Sequence, residues 1–142
     1  MLLAAVDVGS NSFRLEIGRA EGSSIERRGY WKEIVRLAAG LDANSRLSKK
    51  SIETASECLA RMNERLRGMS GPQVRAVGTQ TLRQAQNADQ FLLEAQNALG
   101  FPIEIISGRE EARLIFEGCM HSLPQGEERL SLIHISEPTR PY

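Results

Sequence analysis

A switch of hydrophobic period, from two to about three and a half and back, decides what this chain can fold into. Leu2 to Val8 is short, apolar and β-compatible. After the small polar string that closes it, Phe13, Leu15 and Ile17 alternate with Arg14 and Glu16, the pattern of a half-buried strand. The two segments predict an antiparallel hairpin. A third strand is expected over Ser24 to Val35, after the Glu21-Gly22-Ser23 turn, although its alternation is poorer. The period then changes. From Leu47 to Arg67, Ile52, Ala55, Leu59, Met62 and Leu66 recur at three- and four-residue steps, followed by Met69; Ser48 is the expected N-cap, and Gly68 with Gly71-Pro72 ends the helix. Val74 to Val77 is a short strand, Ala88 to Leu99 a second helix closed by Gly100 and Pro102, and Ile103 to Ile106 another strand. Ser107-Gly108-Arg109-Glu110 opens a third helix running to about Met120. Strands alternating with helices in this order predict an α/β domain, with a mixed sheet that starts as an antiparallel hairpin and continues through crossover helices.

The chain has 142 residues, 41% of them apolar and 25% charged, enough for one domain with a real core. Eighteen basic residues balance 18 acidic ones. No global field therefore recruits nucleic acid or an anionic membrane, and a polyanionic ligand would need locally gathered positive groups. No apolar run approaches the roughly 20 residues that span a bilayer. The N-terminus lacks the basic region of a signal peptide. Cys58 and Cys119 fall in helix-like stretches without metal-ligand spacing and are expected to be small buried residues in a reducing compartment. The expected location is the cytoplasm, and no transmembrane segment is expected.

Three polar strings follow presumed strands. Asp7-Val8-Gly9-Ser10-Asn11-Ser12 reads either as a plain hairpin turn or as an anion nest, in which small residues bring backbone N–H groups close to a ligand and Asp7 holds a divalent cation. Gly78-Thr79-Gln80-Thr81-Leu82-Arg83 lies at another strand end; Arg83 is either an exposed structural arginine or a planar fork of donors for phosphate. Open α/β sheets bind ligands beyond the carboxyl ends of their strands, so the two strings could face one crevice. In Ser107-Gly108-Arg109-Glu110-Glu111-Ala112-Arg113, Ser107 and Glu110 fit a capping box. Glu111 is not used by that box. The helix dipole favours its ionised form, and an ionised carboxylate there can accept a proton from an attacking water. His121, near a helix end, reads as a dipole-facing cation.

The strings Ala-Ala-Val-Asp-Val-Gly-Ser-Asn-Ser-Phe, Val-Gly-Thr-Gln-Thr-Leu-Arg-Gln-Ala and Pro-Ile-Glu-Ile-Ile-Ser-Gly-Arg-Glu-Glu-Ala-Arg-Leu-Ile-Phe, with Val35 to Leu41, resemble the exopolyphosphatase / guanosine pentaphosphate phosphatase family over Met1 to Arg129. The resemblance implies an actin-like, ribonuclease-H-like fold, in which two related lobes enclose a phosphate cleft, and a homodimer for the full-length protein. It implies Asp7 as the metal-associated acid, Gly9, Ser10, Asn11 and Ser12 as the first phosphate loop, Arg83 as a phosphate contact and Glu111 as the water-activating glutamate. The implied reaction is Mg²⁺-dependent release of terminal orthophosphate from polyphosphate, or of the 5′ γ-phosphate from guanosine pentaphosphate.

Two departures accompany the resemblance. Leu130 to Arg140 resembles the in-frame translation of a transposon-derived sequencing adapter, so residues 1–129 are expected to form the phosphatase lobe and 130–142 a non-native tail, with no role for His134. A second phosphate loop of the form Asp-Ile-Gly-Gly-Gly-Ser-Thr-Glu, which the family places soon after Glu128, is not in the sequence, and the chain alone is therefore expected to be inactive. Readings of other classes stay open: an actin-like sugar kinase or ATPase, which shares an Asp-x-Gly first loop, and a polyphosphate-binding module without turnover.

Overall fold

The structure, a computed structural model, describes residues 1–107. A hairpin of β1 (Leu2–Val8) and β2 (Ser12–Glu21) is extended by β3 (Ser24–Ile34), all antiparallel. A 3₁₀ turn over Leu37–Gly40 leads to helix α1 (Lys49–Arg65), then β4 (Val74–Gly78), a short helix α2 (Gln80–Gln84), helix α3 (Ala88–Leu99) and β5 (Ile103–Ile105). The sheet order is β3-β2-β1-β4-β5, with β4 parallel to both β1 and β5. This is the mixed sheet expected. The helix anticipated after Ser107 lies outside the described residues, as do Glu111, Cys119, His121, His134 and the segment 130–142.

Local chemistry accounts for the boundaries. Ser48 caps α1, its Oγ accepting from the Ser51 amide at 3.1 Å. Gly100 ends α3 in the left-handed conformation, φ 84°, which a side chain would resist. One stretch departs from expectation. Thr79 to Gln84, a polar string without a helical stripe in the sequence, is helical from Gln80, and its apolar residue Leu82 turns into the core.

Among the described residues, the core is a layer between one sheet face and helices α1 and α3. Ala4, Val6 and Val8 of β1 and Phe13 and Leu15 of β2 face Ile52, Leu59 and Met62 of α1 and Phe91, Ala95 and Leu99 of α3, and the two helices pack on each other. Each fully buried leucine or phenylalanine contributes about 1.5–3 kcal/mol, whereas an exposed ion pair such as Arg27–Glu16 contributes about 0–1. Helix-to-sheet burial, not surface charge, holds the fold together. Cys58 is fully buried, as expected, and burial with the nearby Glu33 carboxylate pushes its thiol up to about 12. None of the described helices is long and apolar enough to cross a membrane.

Candidate functional site

Strand register decides which loops meet. Val8 pairs with Gly78, and Gly78 with Ile105, so the three parallel strands β1, β4 and β5 end level at one edge of the sheet. The chain leaves all three strands at that edge, as Gly9 to Asn11 after β1, as Thr79 into α2 after β4, and as Ile106 with Ser107 after β5. The ladder continues past the strand ends, the Ile106 amide donating to the Gly78 carbonyl at 3.0 Å.

Side chains then cross between the loops. Thr81 Oγ1 donates to Ser10 Oγ at 2.6 Å, joining the first polar string to the second. Arg83 donates from its guanidinium to the Ile106 carbonyl, joining the second to the entrance of the third. On the other side, the Asn11 carbonyl accepts from the amides of Val35 (3.0 Å) and Arg36 (2.8 Å), and the Ser10 carbonyl from Ala38 (2.9 Å). The Ser10–Asn11 turn is thus held between residues 35–38 and α2. Gly9 is buried in it; a Cβ there would come 2.8 Å from the Ser12 carbonyl oxygen. Asn11 is exposed, Ser10 half-buried and Ser12 only 3% exposed, so the turn presents Ser10 and Asn11 more openly than Ser12.

Asp7 sits one residue before the end of β1, on the sheet face opposite Val6 and Val8. Its Oδ2 lies 3.5 Å from the guanidinium of Arg14, the residue directly opposite on β2. Arg14 carries a buried Nε with no hydrogen-bond partner among the described residues. From sequence alone Arg14 is only the outward residue of an alternating strand; the signal that links it to Asp7 is hairpin register. Among the described residues no cluster of three or more histidine, cysteine or acidic side chains could hold a metal. Asp7 offers a single carboxylate, which fits Mg²⁺ only where phosphate oxygens and water complete the shell, the habit of that ion. Of the predicted residues, Asp7, Gly9, Ser10, Asn11, Ser12 and Arg83 gather at one edge, and Glu111 lies outside the described residues.

Residues 21–133 match the sequence model of the Ppx/GppA phosphatase family. Among solved structures, an Aquifex aeolicus member of the Ppx/GppA family is 27% identical, over 87% of this chain and 40% of that one, with a TM-score of 0.79. An exopolyphosphatase-like protein is also 27% identical, over 89% of this chain and 38% of that one, at a TM-score of 0.78. An exopolyphosphatase from Cytophaga hutchinsonii, 23% identical over 87% of this chain and 40% of that one, shares the fold at a TM-score of 0.77. This chain spans about 40% of the length of these solved relatives.

Proposed function

Because the chain belongs to the Ppx/GppA phosphatase family, we propose that the whole protein is a hydrolase that releases terminal orthophosphate from inorganic polyphosphate. The observation that carries this is the Thr81–Ser10 hydrogen bond. With Thr81 as donor, one lone pair of the Ser10 oxygen is used and the Ser10 proton can donate outward. That makes Ser10 an anion-facing donor at the level where three strands end, beside the Asn11 side chain and the turn's backbone amides. Arg83 spends part of its guanidinium on Ile106, which fixes the plane of the fork while leaving further N–H groups for phosphate oxygens.

In the proposed reaction, Glu111 accepts a proton from water as the water oxygen bonds to the terminal phosphorus. The bridging P–O bond breaks, and its electron pair leaves on the shortened chain. Ser10, Asn11 and Arg83 hold the phosphoryl oxygens while charge redistributes, which supplies the larger share of the barrier reduction in such transfers. Asp7 would hold Mg²⁺ together with phosphate oxygens, and the ion would supply neutralising charge. The exopolyphosphatase-like relative supports polyphosphate as substrate; guanosine pentaphosphate is the alternative within the same family.

The test measures orthophosphate release by the whole protein from long-chain polyphosphate and from guanosine pentaphosphate. Polyphosphate is expected to be the better substrate by kcat/KM. Release from the nucleotide alone would change the substrate and keep the chemistry. ATP-dependent phosphorylation of a sugar, without phosphate release, would overturn the proposal.

A further inference from the structure

Arg36 adopts φ 56° and ψ 50°, the left-handed region that a non-glycine residue occupies only at a cost. What holds it there is backbone hydrogen bonding and the packing of its neighbours. Its amide and that of Val35 donate to the Asn11 carbonyl, and Ala38 donates to the Ser10 carbonyl. Val35 packs against the core and Leu37 is fully buried, so the two neighbours anchor the segment while Arg36 stays exposed between them. A glycine would make the same hydrogen bonds without the strain, and among the described residues no hydrogen bond or ion pair uses the Arg36 side chain.

Its charge is also unspent. Arg19, Arg27, Arg28, Arg61 and Arg75 each lie within ion-pair reach of a carboxylate. Arg36 has no such partner among the described residues. In a chain with zero net charge, an unpaired guanidinium strapped to the anion-facing turn is a local concentration of positive potential. Arg83 supplies another from α2, on the far side of Ser10.

We propose that Arg36 binds a phosphoryl group of a condensed phosphate seated on the Ser10–Asn11 turn, so that Arg36 and Arg83 bracket the chain from two separate elements. This rests on the assignment of that sheet edge as a phosphate site. The backbone strain fixes where the side chain leaves the main chain and so limits the ordering that binding requires.

The test compares the whole protein with its Arg36→Gly and Arg36→Lys variants. Sodium tripolyphosphate binding is followed by calorimetry at two ionic strengths, beside thermal midpoints and polyphosphate hydrolysis. Arg36→Gly is expected to weaken tripolyphosphate about tenfold and to flatten the salt dependence, with a midpoint equal to or above that of the parent because strain is relieved. Arg36→Lys should recover part of the affinity, having the charge without the fork.

Undiminished affinity in Arg36→Gly would overturn the assignment, as would lost affinity with a lowered midpoint, which would mark Arg36 as structural. Phosphate release by the parent with no effect at Arg36 removes Arg36 and leaves the activity standing. Weakened tripolyphosphate binding in a protein that releases no phosphate removes the activity and leaves the contact. Absence of both binding and release removes both.

Discussion

A methyl group at Gly9 would meet the Ser12 carbonyl oxygen at 2.8 Å, and the neighbour is backbone, unable to swing aside. Gly9→Ala should therefore cost about 1–3 kcal/mol by overpacking, read as a lower urea midpoint at unchanged slope, and should weaken tripolyphosphate binding by displacing the turn. Two other residues report through ionisation. The Arg61 side chain hydrogen-bonds Glu33 and holds its carboxyl below the usual 4.5. A depressed acid stabilises the fold above its unfolded pKa, and that contribution is lost as pH falls through the folded value. Both side chains are about half exposed, so the contribution is at most about 1 kcal/mol. Glu33→Gln should accordingly destabilise slightly at about pH 6 and hardly at all at about pH 3, a contrast that urea midpoints at the two pH values would test. Cys58 moves the other way. With its thiol pushed up to about 12 and its side chain buried, it should resist alkylation at about pH 8 while folded and react once urea unfolds the chain. Peptide mapping by mass spectrometry, which separates its peptide from that of Cys119, would show early labelling of Cys58 if that is wrong.

Among the elements, the start of α1 depends on a residue 40 positions away in sequence. Asn87, just before α3, accepts from the Leu47 amide at 2.8 Å and donates to the Leu47 carbonyl at 3.0 Å, acting as a one-residue strand partner, while the Gln86 amide donates to the Ser45 carbonyl. Asn87→Ala would leave two buried backbone groups unmatched, at about 1–3 kcal/mol each. Asn87→Asp keeps the acceptor and should lose less, and chemical denaturation would rank the two variants. The sequence could not disclose this clip, because its signal is one polar residue whose partner is main chain from a distant loop. Wherever a pattern repeated over several residues, the element was legible: the β1–β2 alternation, the α1 stripe with Ser48 before it, and the span of α3. The alternation of β3 was poor because it is an edge strand with no fully buried residue. Helix α2 escaped because five residues are too few to repeat a face and its N-cap Thr79 makes no side-chain cap bond. Polar strings marked the loops of the site, but only parallel register shows that they end at one level. Arg36 lies in the Val35 to Leu41 stretch that carries part of the resemblance, but its conformation was not legible, since no local pattern marks a left-handed arginine.

For the molecule as a whole, binding and turnover make separable demands. Ser10, Asn11 and Arg83 meet at one sheet edge within a chain that spans about 40% of the length of its solved relatives, so if that edge is the phosphate site proposed above, this chain alone should bind tripolyphosphate. A ligand that binds only the folded state stabilises it by about 2.7 kcal/mol at roughly a hundred times its dissociation constant, and tripolyphosphate should raise the thermal midpoint accordingly. Turnover asks for more. A positioned general base supplies about 10²–10⁴-fold, whereas phosphoryl transfer draws most of its acceleration from charge and oriented donors around the moving group. The family resemblance implies a second phosphate loop as a further source of such donors, so turnover is expected of the whole protein. If Glu111 is the general base proposed above, Glu111→Ala in the whole protein should lower kcat by about 10²–10⁴-fold while leaving the tripolyphosphate dissociation constant unchanged, because such a base acts on the attacking water rather than on the phosphate. A variant that loses affinity in step with kcat would instead make Glu111 a residue that shapes the binding site, and an unchanged kcat would move the proton acceptor elsewhere.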